Sequence, residues 1–478
     1  MKIFSKLIIV FLTVFIACEK PLQEETFSTL GPTNFYNSAE DAETLLNGVY
    51  ATSQGYRDIL RDYLTFGEAT TDIFIERRGA INALIQPVEN FNWSATHPWL
   101  DRLWGRYYRG IYRANVVLDK VPAIDMDEER KQQILAEARF LRAFNYYYLN
   151  DLFGPVPIIT TSETSVDARP SRPTEGEFNT FVENEFLAVS EVLPKTQAQF
   201  GRATKGAALG FLTKFYLNNK KWAEAAETAK KVMDLGVYSL FTAGNRTELF
   251  ALSNEGNSEF IYVAPFPDNP TGALGNTYLS HTAPDGYQWK WPPKVIFAAD
   301  FRIRSEFLEL FEPEDERLDA FVFEYINKAG ELVQLEEDNV RSFKYPEDPA
   351  GVGNVSGNDF PLLRYADILL SRAEALNELN GPNPESIALI NEIRTAAGVA
   401  PISLADYPSK EALNAFILDE RGREFHTEAL RRQDLIRHGV FIEMARERGI
   451  EAFDYQVLFP IPQSELDKNP NLVQNEGY

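Results

Sequence analysis

Four histidines (His97, His281, His426 and His438) and one cysteine (Cys18) are the whole stock of such metal-binding and nucleophilic side chains in 478 residues. No two of the histidines stand at metal-ligand spacing, which argues against a zinc or copper site built on imidazoles. His426 and His438 flank a strongly charged stretch and read as solvated or salt-linked side chains. The common catalytic signatures are absent: there is no His-Glu-x-x-His and no Gly-x-Ser-x-Gly. Gly201 to Gly206 has the glycine spacing of a phosphate-binding loop, but Ala207 stands where lysine is required. Gly351-Val-Gly353 is followed by Ser356 instead of glycine and lacks a strand–helix–strand frame, so it is not read as a nucleotide site. A glycosidase needs only two carboxylates, and 70 acidic residues are present, yet nothing in the sequence selects a pair. The chain therefore reads as a non-enzyme, with no catalytic residue, metal or cofactor to assign.

The aromatic residues point elsewhere. Sugar rings have apolar faces that flat side chains bury, while Asp, Asn and Arg satisfy the hydroxyls, and Trp and Tyr do this with little entropy loss. Trp93, Trp99 and Trp104 lie within twelve residues, and Tyr287, Trp289 and Trp291 alternate between Gly286 and Pro292. Residues spaced two apart on an extended segment share a side, so Tyr287, Trp289 and Trp291 are expected to face one way. Trp93 sits in the loop-like Asn90-Phe-Asn-Trp-Ser94 and reads equally as an exposed platform or a buried anchor. Trp99 is ambiguous, and Trp104 falls one residue past a helix stripe and reads as packing. Asp72, Arg77 and Arg78 precede the first cluster and either bond sugar hydroxyls or serve as surface charge. The candidate ligand contacts are Trp289, Trp291, Tyr287, Trp93, Asp72, Arg78 and Trp99.

The elements that must carry these side chains are mostly helices. A first helix is expected from Ala39 to Tyr50. Leu100, Leu103, Tyr107, Ile111, Ala114 and Leu118 recur at three- and four-residue steps, as do Ile134, Ala138, Leu141, Phe144 and Tyr148, ending at Gly154-Pro155. Ala208 to Tyr216 and Trp222 to Met233, joined by Asn218-Asn219 and closed by Gly236, resemble a tetratricopeptide-type pair with small alanines at the crossing. A second pair is expected over 361–398, with Leu362, Ala366, Leu369, Leu370 and Ala373 on one helix and Ile387, Ile390 and Ile393 on the next. Ser409 is a good N-cap for a further helix to about Phe425. Residues 250–360 are rich in Gly, Pro, Asn and Asp, with strand-like pieces such as Phe260-Ile-Tyr-Val263. The expected fold is mainly α, a helical repeat scaffold carrying an irregular, loop-rich lobe with short strands over about 240–360.

The chain opens with Lys2 and Lys6, then an apolar run from Leu7 to Ala17. That run suits a signal peptide and falls short of the ~20 residues needed to span a bilayer. Ala17-Cys18 at its end is similar to a bacterial lipobox, in which Cys18 would carry lipid; the bland alternative is a free thiol beside an ordinary cleavage site. Residues 1–17 then form the signal peptide, 18–32 a polar lipidated tether and 33–478 the folded domain. A single cysteine permits no internal disulfide, so the domain must stand on its hydrophobic core. Removing residues 1–17, which carry two lysines and no acid, takes the formal charge from −23 to −25. Such a surface repels nucleic acid and anionic headgroups, and favours a neutral ligand or a protein partner.

Several blocks are hard to read as coincidence. Glu137-Ala-Arg-Phe-Leu-Arg-Ala-Phe144 leads to Leu152-Phe-Gly-Pro-Val-Pro157, and Leu363-Arg-Tyr-Ala-Asp-Ile-Leu-Leu-Ser-Arg-Ala-Glu-Ala-Leu-Asn377 follows at a distance. Glu420-Arg-Gly-Arg-Glu-Phe425 precedes Arg431-Arg-Gln-Asp-Leu-Ile-Arg437, and the end of the chain reads Pro460-Ile-Pro-Gln-Ser-Glu-Leu466, Asn469 to Asn475 and Gly477-Tyr478. Together with Trp104 to Leu118 and Lys221 to Leu240, these resemble the SusD/RagB family over essentially the whole mature chain. The resemblance implies four tetratricopeptide-type helix pairs, a glycan platform on the irregular lobe, and a palmitate-bearing lipid anchor on the outer membrane facing the exterior. It also implies a partner, a SusC-like TonB-dependent transporter that receives the captured glycan. The matching ligand regions are roughly 70–99 and 278–291. Some relatives bind calcium, but no loop of metal-spaced carboxylates occurs here. Glu137, Arg139, Arg142, Arg364, Asp367, Arg372, Glu374, Glu420, Arg421, Arg423, Glu424, Arg431, Arg432 and Asp434 read as structural ion pairs between helices. Capture of peptides on the same scaffold, and a surface glycoside hydrolase, are the alternatives to glycan capture.

Overall fold

The computed structural model describes residues 36–53, 61–76, 81–165, 167–267, 275–297 and 300–478. Cys18, the segments 1–17 and 18–32, Arg77 and Arg78 lie outside the described residues. Helices dominate: α1 Ala39–Ser53, α2 Asn82–Glu89, α3 Pro98–Lys120, α4 Glu128–Phe153, α5 Glu175–Val192, α6 Lys205–Asn218, α7 Trp222–Met233, α8 Tyr278–Thr282, α9 Tyr365–Asn380, α10 Pro384–Ala396, α11 Lys410–Phe425 and α12 Arg431–Arg437.

Their ends follow from local chemistry. Pro98 occupies the first turn of α3, and the His97 side chain accepts from the Trp99 amide at 3.3 Å. Asp127 caps α4, Thr174 and Glu177 form a reciprocal capping box on α5, and Ser409 accepts from Ala412 at the start of α11. Gly154, at φ 72, ends α4 in a conformation a side chain would strain. The expected stripe of α3, from Leu100 through Ala114, is buried against α4. Gly110 marks their close approach, since a Cβ there would fall 2.6 Å from the Asn145 side chain. Along the chain α3 packs on α4, α4 on α5, α5 on α6, α6 on α7 and α7 on α9, which also holds α10 and α11. Gly206 to Leu217 of α6 are all buried, as expected of a helix with neighbours on several sides. The fold is a mainly helical repeat scaffold of tetratricopeptide type, with the α6–α7 pair where the sequence puts it.

One expectation fails within this scaffold. Leu362 belongs to a strand and not to the helix that follows. Among the described residues there are eight short strands: β1 Phe74–Ile75, β2 Phe260–Ala264, β3 Arg302–Ile303, β4 Phe321–Val322, β5 Glu324–Ile326, β6 Leu332–Gln334, β7 Arg341–Ser342 and β8 Phe360–Arg364. β8 runs antiparallel to β2, with Phe260 opposite Arg364 and Ala264 opposite Phe360. Both strands are buried throughout, and the helix begins only at Tyr365, after the ladder ends at Arg364. The remaining strands pair two by two, β1 with β3, β4 with β7, and β5 with β6 as a hairpin. They stiffen the lobe without forming a large sheet.

The arginines and carboxylates on the helices form buried networks. Arg364, 1% exposed, binds Glu428 at 2.7 and 2.9 Å, Glu424 at 2.9 Å, and Glu259. Arg246 bridges Glu259 and Glu424, and Arg317 bridges Asp315, Glu420 and Glu424. Asp367 accepts from Lys214 and Arg421, and Arg437 clamps Glu374. Arg139 and Arg142 share Glu185. His426 lies within the first network at 1% exposure, and so is neither solvated nor at a charged edge. His438 does stand beside Glu374, at 3.3 Å.

Candidate functional site

The segment from α8 to Phe297 folds over the lobe against the β5–β6 hairpin. Tyr287 bridges Asn327, the Gln288 amide donates to the Ile326 carbonyl at 3.1 Å, and the Lys328 amide donates to Gly286 at 2.8 Å. These bonds hold residues 286–288 against the hairpin, and the chain bends over 290–293. Gln288 and Lys290 are exposed, Tyr287 and Trp291 are half-buried, and Trp289 is buried. Of the expected common face, Tyr287 and Trp289 are brought together, whereas the bend over 290–293 leaves the Trp291 ring against Lys290 instead of the other two rings.

Tyr287 is the centre of an aromatic cluster. Its ring meets Trp289 edge-on at 5.1 Å, Phe343 at 5.3 Å and Tyr325 at 5.9 Å. Its hydroxyl donates to Glu347 at 3.1 Å, and burial followed by that carboxylate pushes its pKa up. Glu347 also accepts from the Lys290 amide at 3.1 Å, which fixes the backbone just before Trp291. The Lys290 ammonium lies 4.3 Å from the Trp291 ring centre. Trp289 is 5% exposed and presents almost no ring face, while its indole N–H has no hydrogen-bond partner among the described residues. Lys294 donates to the carbonyls of Asp348 at 2.6 Å and Gly351 at 2.8 Å, tying the segment to the loop that carries Val352.

The first cluster has a different fate. Trp93 is 6% exposed, donates to the Tyr478 hydroxyl at 2.7 Å and packs on Phe91 and Phe459. It is a buried anchor for the chain terminus. Trp99 is 2% exposed and lies beneath the Arg61 and Arg102 guanidiniums at 4.8 and 5.8 Å. Trp104 packs on Tyr108 and Phe153, as read from the sequence. Asp72 is clamped by Arg431 at 2.8 and 2.7 Å, both carboxylate oxygens being engaged, so it serves the scaffold. Burial alone would raise its pKa, and Arg431 reverses this to hold it below the usual carboxylate range. The two regions are nevertheless joined: β1 pairs with β3, and Phe74 stacks on Phe301 at 5.0 Å. His281, bonded to Asp300 at 2.9 Å, packs on Phe301 and Phe297.

The structure adds apolar side chains that the tryptophan pattern did not indicate. Val295, Phe297, Phe323, Ile326, Leu332 and Val352 are all large, apolar and exposed on the lobe. The available signal was the turn Asn327-Lys-Ala-Gly330 between two short runs, which marks a hairpin. Among the described residues no group of three or more His, Cys, Asp or Glu is placed to hold a metal ion. Nor is any described helix long and apolar enough to cross a membrane.

Comparison with known proteins fits this geometry. Residues 339–478 match the SusD family, and residues 22–217 match the family described as starch-binding associating with outer membrane. The chain is 26% identical over 515 residues to SusD-like protein P2 of Formosa agariphila, covering 100% of both. It is 26% identical to the starch-binding protein SusD of Bacteroides thetaiotaomicron, covering 83% of this chain and 82% of that one. A solved structure named as a laminarin binding SusD-like protein superposes with a TM-score of 0.79 at 25% identity, over 93% of this chain and 100% of that one. Two of these relatives are named as binding proteins, and on sequence, fold and matched regions together the chain belongs to the SusD/RagB family.

Proposed function

We propose that this protein is a cell-surface glycan-binding lipoprotein that captures oligo- or polysaccharide and delivers it to a SusC-like TonB-dependent transporter in the outer membrane. The observation that carries the reading is the aromatic platform on the lobe. Trp291 and Tyr287 are half-buried and Phe297, further along the same segment, is exposed, while Glu347 and Lys290 lie against Tyr287 and Trp291 and supply polar groups for hydroxyls. Flat rings beside polar groups, held by a rigid scaffold, suit a neutral ligand of many hydroxyls. Relatives named for starch and laminarin support the ligand class. Lipidation at Cys18, the tether 18–32 and outward display at the membrane complete the reading, with Trp289 supporting the platform from below. No catalytic step is included.

Affinity gel electrophoresis against starch, laminarin and a panel of plant, algal and host polysaccharides tests it. One polysaccharide should retard the purified protein and remain intact after incubation. Trp291→Ala should weaken retardation about tenfold, in line with the loss of one stacked ring. Tyr112→Ala, on an exposed ring of α3, serves as the control and should change nothing. Retardation by no polysaccharide, or an unaltered Trp291→Ala protein, would sink the reading and favour peptide cargo. Hydrolysis of the polysaccharide would instead establish a glycosidase.

A further inference from the structure

A second groove lies on the helical side of the molecule and shares none of its lining with the platform. It has a volume of about 840 Å³ and runs between α10 and the segment that follows α7. The geometry of α10 explains its shape. Ile387, Ile390 and Ile393 turn into the core, while Ala388 and, three, four, seven and eight residues on, Asn391, Glu392, Thr395 and Ala396 line the groove. The opposite wall carries Tyr238 and Tyr365, whose half-buried rings have centres 6.5 Å apart and planes inclined by 30°.

Some polar groups of the lining are engaged and others face the groove. The Tyr238 hydroxyl is bonded to Thr204 at 3.0 Å, which fixes its ring. The Tyr365 hydroxyl, the Glu392 carboxylate and the Thr395 hydroxyl have no hydrogen-bond partner among the described residues. Burial first, then the carboxylates of Glu392 and Asp234, raise the pKa of Tyr365, and Glu392 lines the same groove. No lysine, arginine or histidine lines the groove, whereas Glu316 and Glu392 both do. An anionic ligand is thereby disfavoured. Tyr238 also lines a neighbouring depression of about 160 Å³ that includes Phe200, whose ring is 42% exposed. Aromatic surface thus continues beyond the first groove, as an extended ligand would need.

We propose that this groove is a second carbohydrate-binding site, taking an uncharged oligosaccharide whose ring faces lie on Tyr238 and Tyr365 and whose hydroxyls donate to Glu392. The inference takes its ligand class from the reading above, and its test separates the two. A ligand held at two places on one lipid-anchored protein would be bound by avidity, so a modest second site still lengthens residence.

Calorimetric titration of the purified protein decides the matter. The probes are the hexasaccharides of laminarin, starch, cellulose, mannan and xylan, with hexagalacturonate as the anionic arm and the chitosan hexamer as the cationic arm. The proteins are wild type, Trp291→Ala, Thr395→Trp, Glu392→Gln and Trp291→Ala with Thr395→Trp. Thr395 and Glu392 are exposed on α10, so neither substitution disturbs the core. In the Trp291→Ala background at least one neutral hexasaccharide should still bind, and adding Thr395→Trp should weaken it about tenfold or more. Glu392→Gln should weaken the same ligand several-fold. Affinities unmoved by Thr395→Trp, with loss on Trp291→Ala alone, would overturn the second site and leave the platform standing. The converse pattern would overturn the platform and leave the groove. Binding of the chitosan hexamer alone would make the groove a cation site, and binding of no neutral probe would also refute the proposal.

Discussion

At the scale of single residues, His426 sets the direction of the acid response. Its ring is buried, stacks on Phe321 at 4.8 Å and bonds the Arg423 carbonyl through Nδ1 at 3.0 Å. Burial first, and then the Lys344 ammonium, push its pKa well below the usual value. The unfolded histidine titrates near about 6.5, so below that pH only the unfolded chain takes up this proton. Stability from this group is full above pH ~6.5 and declines as pH falls towards the folded value. The carboxylates of Glu374 and Glu424 act in the same sense at lower pH. Burial would raise both, but Arg437 for the first, and Arg246 and Arg364 for the second, hold them well below the carboxylate range. Urea midpoints measured from about pH 7 to pH 5.5 should therefore fall in wild type. His426→Asn keeps a donor and does not titrate, and should flatten that decline. An identical slope in the variant would show that another group carries it. The sequence shows that such charges are structural, since they sit on helices that also carry core residues. It does not show their partners: Arg246, Glu259 and Arg317 come from the lobe, about a hundred residues or more away from those they meet on β8 and α11. The same limit explains Trp93 and Asp72, whose partners Tyr478 and Arg431 lie several hundred residues away.

At the scale of elements, the helices were legible because a period of 3.6 repeats many times over fifteen or twenty residues. Strands of two or three residues leave no such trace, and β8 was taken into the helix it precedes. The hairpin β5–β6 is the consequential case, because its edge holds Tyr287 in place. Gly330 turns that hairpin at φ 81, and the Asn327 side chain accepts from the Ala329 and Glu331 amides at 2.9 Å. Gly330→Val places a β-branched residue in the left-handed region, at a cost of about 1–3 kcal/mol. The strain falls on an exposed tip, so it should loosen the hairpin and not the scaffold. Glycan affinity should drop about five-fold, the equivalent of roughly 1 kcal/mol, while the melting temperature stays nearly constant. A lowered melting temperature with unchanged affinity would mean that the hairpin supports the fold and not the platform.

At the scale of the whole molecule, the question is what couples an irregular lobe to a helical scaffold. Apolar packing contributes, but the lobe is also pinned by charge. Arg246, Arg317 and Lys344 reach from the lobe to Glu420, Glu424 and Glu428 at the end of α11 and just beyond it. Glu424 is the common acceptor, since one oxygen serves Arg246 and Arg364 and the other serves Arg317. Each of these groups is almost fully removed from water, where a pair can break even but a widowed charge is costly. Glu424→Gln keeps the shape and removes the charge, leaving three guanidiniums short of a counter-ion. A loss of about 3–5 kcal/mol is expected on urea unfolding. The pattern should be regional. In wild type, lobe and scaffold should unfold in one transition. In the variant, amides over 315–345 should exchange hydrogen well before those of α3 and α4, because the scaffold core around Phe144 and Phe211 does not depend on the network. Uniform acceleration across both regions would instead mean that the network stabilises the molecule as a single unit. In either case the platform inherits its position from the same contacts, so the variant should also bind glycan more weakly near its unfolding midpoint than far from it.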